Sequence, residues 1–186
     1  HDLGAMSGIN SGGQGINDNA SISGTIFFEN DTHQAFLYEN NNMQLLGTLG
    51  GHLSRGLDIN RHGQVVGTST LDETPNHAFV WDSENGMLDL GALGGFKSLA
   101  TAINDLGQVT GRSEYSEATS DMHAFLWDET NGMQDIGALD DAPVTTPWGI
   151  NNHAQIAGTT KITATIDGRA FLWDHKNGMR DLCEVT

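Results

Sequence analysis

From Ser98 to Gly137, apolar and small residues come in four short bursts separated by polar turns. Ser98-Leu99-Ala100-Thr101-Ala102-Ile103-Asn104 alternates small residues with larger ones, the period of a β-strand. Asp105-Leu106-Gly107 reads as a turn, and Gln108 to Ser113 as a second strand. A polar excursion from Glu114 to Met122 precedes a third strand, His123 to Asp128. Glu129-Thr130-Asn131-Gly132 closes it, and Met133 to Gly137 makes a fourth. In the third strand Ala124 and Leu126 point to one side while Phe125 and Trp127 point to the other, so both faces are apolar. A sheet with one wet face would not be written this way; a sheet wedged between two neighbours would.

The same pattern occurs four times. Phe36, Phe79, Phe125 and Phe171 are 43, 46 and 46 residues apart, and Asn17, Asn60, Asn104 and Asn151 follow steps of 43, 44 and 47. A third landmark links Gly47-Thr48-Leu49-Gly50-Gly51 to Gly91-Ala92-Leu93-Gly94-Gly95, with Gly137-Ala138-Leu139-Asp140-Asp141 as a variant and Gly4 to Gly8 as an early copy. Four antiparallel strands per unit at this period predict an all-β fold, a β-propeller of four blades in one domain covering 1–186, with units near 5–48, 49–92, 93–138 and 139–186. Small residues in each first strand, such as Gly13, Gly15, Gly56, Ala100, Ala102 and Gly149, suit crowding around an axis. The Asp-Leu phrase, however, has five copies, from Asp2-Leu3 to Asp181-Leu182. Closure into a ring of four is the expectation, and an open or oligomer-completed array is the alternative.

The phrases His77-Ala78-Phe79-Val80-Trp81-Asp82 and His123-Ala124-Phe125-Leu126-Trp127-Asp128, followed by Asn-Gly-Met-x-Asp and Ile-Asn-x-x-Gly-Gln-Val-x-Gly, resemble the HAF repeat family. Gln34-Ala35-Phe36 and Arg169-Ala170-Phe171 depart from the triplet, and Tyr38 replaces the tryptophan. The resemblance implies a secreted or surface-exposed bacterial repeat protein. It carries no reaction, so no catalytic residue is transferred. The chain starts at His1 rather than Met, for which a cleaved secretory signal would account.

A net charge of −16 argues against nucleic acid and anionic membranes as partners, and leaves cations, basic proteins or neutral glycans, so that a protein or glycan ligand is expected. No stretch approaches the roughly 20 apolar residues that span a bilayer. The single cysteine, Cys183, permits no internal disulfide and sits where other units have Gly91 or Gly137, which reads as a small filler.

Residues present in every copy serve the unit; those present once are the better functional candidates. By that rule His77 and His123 read as structural, bonding a neighbouring backbone group, and the four asparagines read as turn formers. The acidic turns Asp82 to Gly86 and Asp128 to Gly132 offer calcium little, because the spacing is not that of an EF-hand and Asp174 to Gly178 carries His175 and Lys176. Asp140-Asp141 is the better cation candidate.

The unit-specific loops 29–32, 70–76, 114–122 and 160–168 should gather on one face, beside His52, Phe96, Tyr115, Asp121, Asp140, Asp141 and Trp148 as binding residues. Trp148 either reaches solvent there or fills the axial hole. No Gly-x-Ser-x-Gly, phosphate loop or His-Glu-x-x-His is present. The expectation is a non-enzymatic binding module. A hydrolase or lyase using His52, Asp140 and Asp141 in an axial pocket is the second reading. A structural segment that completes a larger ring with another copy, a homo-oligomer, is the third.

Overall fold

The computed structural model describes residues 8–72, 75–140, 142–161 and 168–183. The Gly4 landmark, Asp2-Leu3, Asp141 and most of the 160–168 loop lie outside them.

Every described element is a β-strand, and the strands fall into the four expected units. The first unit has β1 (Asn10–Ile16), β2 (Ile22–Phe27), β3 (His33–Glu39) and β4 (Asn42–Leu45). The second has β5 (Ser54–Ile59), β6 (Val65–Thr70), β7 (Asn76–Asp82) and β8 (Gly86–Asp89). The third has β9 (Ser98–Ile103), β10 (Val109–Glu114), β11 (Met122–Asp128) and β12 (Gly132–Gly137). The fourth has β13 (Val144–Ile150), β14 (Ile156–Lys161), β15 (Gly168–Asp174) and β16 (Gly178–Asp181). Within each unit consecutive strands pair antiparallel, and a single parallel bridge, Met122 to Val144, joins the third sheet to the fourth.

The core lies between sheets. Val66, Ala78, Val80 and Leu90 of the second unit pack on Ala100, Ile103, Val109 and Phe125 of the third. Ala35, Leu37 and Leu46 meet Ile59, Val65, Phe79 and Trp81 in the same way one junction earlier. Leu126 meets Ile156, Phe171 and Trp173 one junction later. Phe36, Phe79, Phe125 and Phe171 are all buried, so the two-faced apolar third strand does what its pattern predicts.

First strands pack side by side, β1 on β5, β5 on β9 and β9 on β13. A Cβ on Gly15 would stand 2.9 Å from the Asp58 backbone of the next unit, the crowding that selects small residues there. A second glycine position is tighter still. A Cβ on Gly111 would lie 2.0 Å from the Leu99 carbonyl and 2.8 Å from the Phe125 ring, where β9 bulges against β10. Gly24, Gly67 and Gly158 repeat this arrangement.

The asparagine turns do more than turn. Asn60 Oδ1 accepts from the His62 and Gln64 N–H groups, each at 3.0 Å, and Asn60 Nδ2 donates to the Asn104 carbonyl of the next unit at 3.1 Å. Asn17 donates to Asn60 at 3.0 Å and Asn104 to Asn151 at 2.9 Å, so one amide ladder runs in a single direction through the four units. Among the described residues no further rung joins Asn151 to the first unit: Asn151 Nδ2 donates to its own Gln155.

Candidate functional site

Two of the unit-specific loops, 70–76 and 114–122, meet beside the connection that carries Phe96 and Lys97. The carboxylate of Glu114, at the end of β10, is buried; it accepts from the Phe96 N–H at 2.9 Å and lies 3.6 Å from Lys97 Nζ. Next to it Tyr115 stacks on His123 with ring centroids 4.0 Å apart, and the Phe96 ring projects into solvent. Pro75 from the preceding unit joins Phe96, Lys97 and the 117–120 loop around a shallow cavity of about 280 Å³.

A larger cavity of about 490 Å³ opens on the same side, where β5 begins. Leu53, Leu57 and Leu99 give it apolar walls, with Arg55, His33, Ser54 and Asn76 as polar groups. Arg55 Nε donates to His33 Nε2 at 3.1 Å. Burial first, and then the guanidinium, lower the His33 pKa, so the ring is neutral and takes the arginine as its donor. This pair was not among the candidates from sequence. The signal was present, because Arg55 is a charged residue in a first-strand series that is otherwise uncharged at this position: Gly12, Leu99 and Thr146.

The four asparagine turns ring a depression of about 360 Å³ on the opposite side. It holds Asp58, Asp105 and Arg61. Asp58 accepts from the Ile103 N–H at 3.0 Å, yet burial outweighs that bond and raises its pKa. Asp105 is shifted the other way, chiefly by the Arg61 N–H and then by the Asn152 amide.

The predicted site residues do not converge. Phe96 and Tyr115 share one neighbourhood, and Asp121 is half-buried at the end of the same loop, its N–H 3.4 Å from Thr119 Oγ1. His52 is exposed in another connection, its N–H on Thr70 Oγ1 at 3.0 Å. Asp140 is no open cation site: its carboxylate holds the Arg169 guanidinium, which already supplies the positive charge. Neither the cavity at Arg55 nor the depression among the asparagine turns is lined by His52 or Asp140, and Asp141 lies outside the described residues. Trp148 reaches solvent and is not enclosed. It is 65% exposed on β13, on the flank of the fourth unit, with its indole N–H on Thr159 Oγ1 at 3.0 Å.

The histidines bond side chains and not backbone. His77 and His123 pair with Asp89 and Asp135 of the fourth strands, and Arg169 pairs with Asp181. The acidic turns are occupied by their own chain: Asp82 accepts from the Glu84 and Asn85 N–H groups at 2.8 and 2.7 Å, and the Asn85 N–H is the main cause of its lowered pKa. Among the described residues no three His, Cys, Asp or Glu side chains gather as a metal site. Cys183 is exposed and therefore fills nothing; its N–H donates to Asp181 at 2.8 Å, as those of Gly91 and Gly137 do to Asp89 and Asp135. No helix among the described residues is long and apolar enough to cross a membrane.

No protein-family model and no curated protein matches the chain. Solved structures do. TolB from Acinetobacter baumannii superposes with a TM-score of 0.66 at 12% identity, over 93% of this chain and 43% of that one. A putative TolB from Agrobacterium tumefaciens gives 0.65 at 14% identity, over 88% of this chain and 61% of that one. The likeness is one of fold, β-propeller-like and all-β, and this chain spans less than two thirds of either structure.

Proposed function

We propose that this is a non-catalytic binding module of the HAF repeat type, secreted or surface-exposed. Its four units act as propeller blades that present their unit-specific loops to a protein or glycan ligand. The observation that carries the reading is the cavity at Arg55. Its volume, its leucine walls and its few converging polar groups are the ordinary composition of a ligand site. A guanidinium is the natural partner of a carboxylate. Arg55 therefore favours a ligand with one acidic group, and the strongly negative chain, which repels further negative charge, favours an otherwise neutral or apolar body, such as a uronic sugar or a peptide terminus. Phe96 and Tyr115 supply a second platform on the same face for a sugar ring or a side chain.

The test is an array of neutral and uronic-acid oligosaccharides together with peptides of free and amidated C-terminus, probed with the wild-type protein and with Arg55→Ala. Retention of a carboxylate-bearing probe, lost in Arg55→Ala, is the expected result. Retention that is indifferent to Arg55, or none at all, overturns the assignment of this cavity.

A further inference from the structure

The first two junctions between units share one contact set, and the third, where Thr145 stands at the serine position and bonds Thr160, keeps part of it. Ala35 and Ala78 on third strands donate their N–H groups to Ser54 and Ser98 at the start of the next unit, at 2.9 and 2.8 Å. Those serine hydroxyls also donate, to the Gly47 and Gly91 carbonyls. The asparagine rung is present at all three junctions. Between these bonds the leading face of one unit buries its alanine and leucine against the isoleucine and phenylalanine of the next.

Among the described residues that leading face is uncovered in the fourth unit. Ala170 is exposed, whereas Ala35, Ala78 and Ala124 are fully buried. Leu182 is 46% exposed, against 7% for both Leu46 and Leu90. Trp148 belongs to this flank, because it bonds Thr159, whose counterparts Thr68 and Arg112 reach the following unit at Ser98 and Thr146. The first unit carries the opposite half uncovered. Ile16 is 68% exposed, whereas Ile59 and Ile103, in the same place, are 5% and 6% exposed.

We propose that the uncovered flank of the fourth unit binds the first unit of a second copy of this chain, head to tail, through the junction that the chain already forms between its first and second and its second and third units. Two different patches meet, so the association is heterologous and either closes a ring or extends. In the complex Ala170 N–H meets the second copy's Ser11, the position equivalent to Ser54 and Ser98, and Asn151 Nδ2 adds a rung to the second copy's Asn17 carbonyl. Ile16 comes to rest against Leu172 and Leu182.

Cross-linking distinguishes association from self-closure. In a Cys183→Ser background, Ser11→Cys protein is mixed with Ala170→Cys protein and oxidised. A disulfide dimer that forms in the mixture well beyond the level of either protein alone is the expected result. No enrichment overturns the proposal, and so does a double variant that forms only an internal disulfide, which would mean that the chain closes on itself. Light scattering over a concentration series provides the second measurement. The mass should rise above the 19.9 kDa of one chain, and Ala170→Arg or Ile16→Glu, both at exposed positions, should each restore the single-chain mass. A single-chain mass at every concentration overturns the proposal.

Discussion

His77 Nδ1 stands 2.9 Å from a carboxylate oxygen of Asp89, across the third and fourth strands of one unit. The same pairing recurs as His123 with Asp135 and as Arg169 with Asp181. Where the first unit has Leu45 in place of the acid, it has Gln34 in place of the base. Cation and acid are thus kept or lost together, which marks them as a pair that ties the outer strand to its sheet.

A pair this exposed contributes modestly. His77→Ala should cost about 1 kcal/mol or less. Asp89→Ala should cost more, because that carboxylate also accepts from the Gly91 N–H. His77→Arg should keep the stability, as Arg169 does naturally. Urea denaturation of the three variants checks the order.

Gly111 should not tolerate any side chain. A Cβ there meets the Leu99 carbonyl at 2.0 Å, a backbone atom that cannot step aside. Gly111→Ala is expected to lower stability by about 1–3 kcal/mol or more through overpacking. Gly132→Ala is the contrast. No atom lies near the added methyl group, so only the positive φ of 69° is at stake. Thermal melts of the two variants separate steric from conformational cost.

The asparagines should differ in worth although they read alike. Asn60→Ala removes the turn bonds to the His62 and Gln64 N–H groups and a rung to the next unit, whereas Asn151→Ala removes only the matching turn bonds to His153 and Gln155. At high dilution the first should be more destabilising by about 1 kcal/mol, the net value of one hydrogen bond. Denaturation of both variants side by side measures the difference.

Asp58 predicts a pH effect of defined sign. Burial raises its folded-state pKa above the ordinary 3.8, so its charged form weakens the fold. Its contribution is most favourable below 3.8 and is lost as pH rises through the raised value. Asp58→Asn keeps an acceptor for the Ile103 N–H without the charge. It should therefore melt higher than wild type at neutral pH, with the gap closing in acid.

The repeat period, the four strands and the two apolar faces of Phe125 and Leu126 were legible because burial imposes them on residue type. The partner of His77 was missed because the acid lies twelve residues on, in a phrase already assigned to the outer strand. Comparison of the four copies position by position would have found it. The ladder was hidden for a different reason: an amide that caps its own turn looks the same in sequence as one that also spans to the next unit. Arg55 and His33 meet only through the stacking of two units, and no local pattern brings them together.

The first two junctions are made from the same few atoms, so neither depends on which of those units it joins. Removing residues 49–92 as a block would bring Ala35 to Ser98 and Asn17 to Asn104, the pairs that Ala78 and Asn60 now form. Gene duplication or loss can therefore change the length of such a protein by whole periods without designing a new surface, while a deletion out of phase strands half a junction and should be purged.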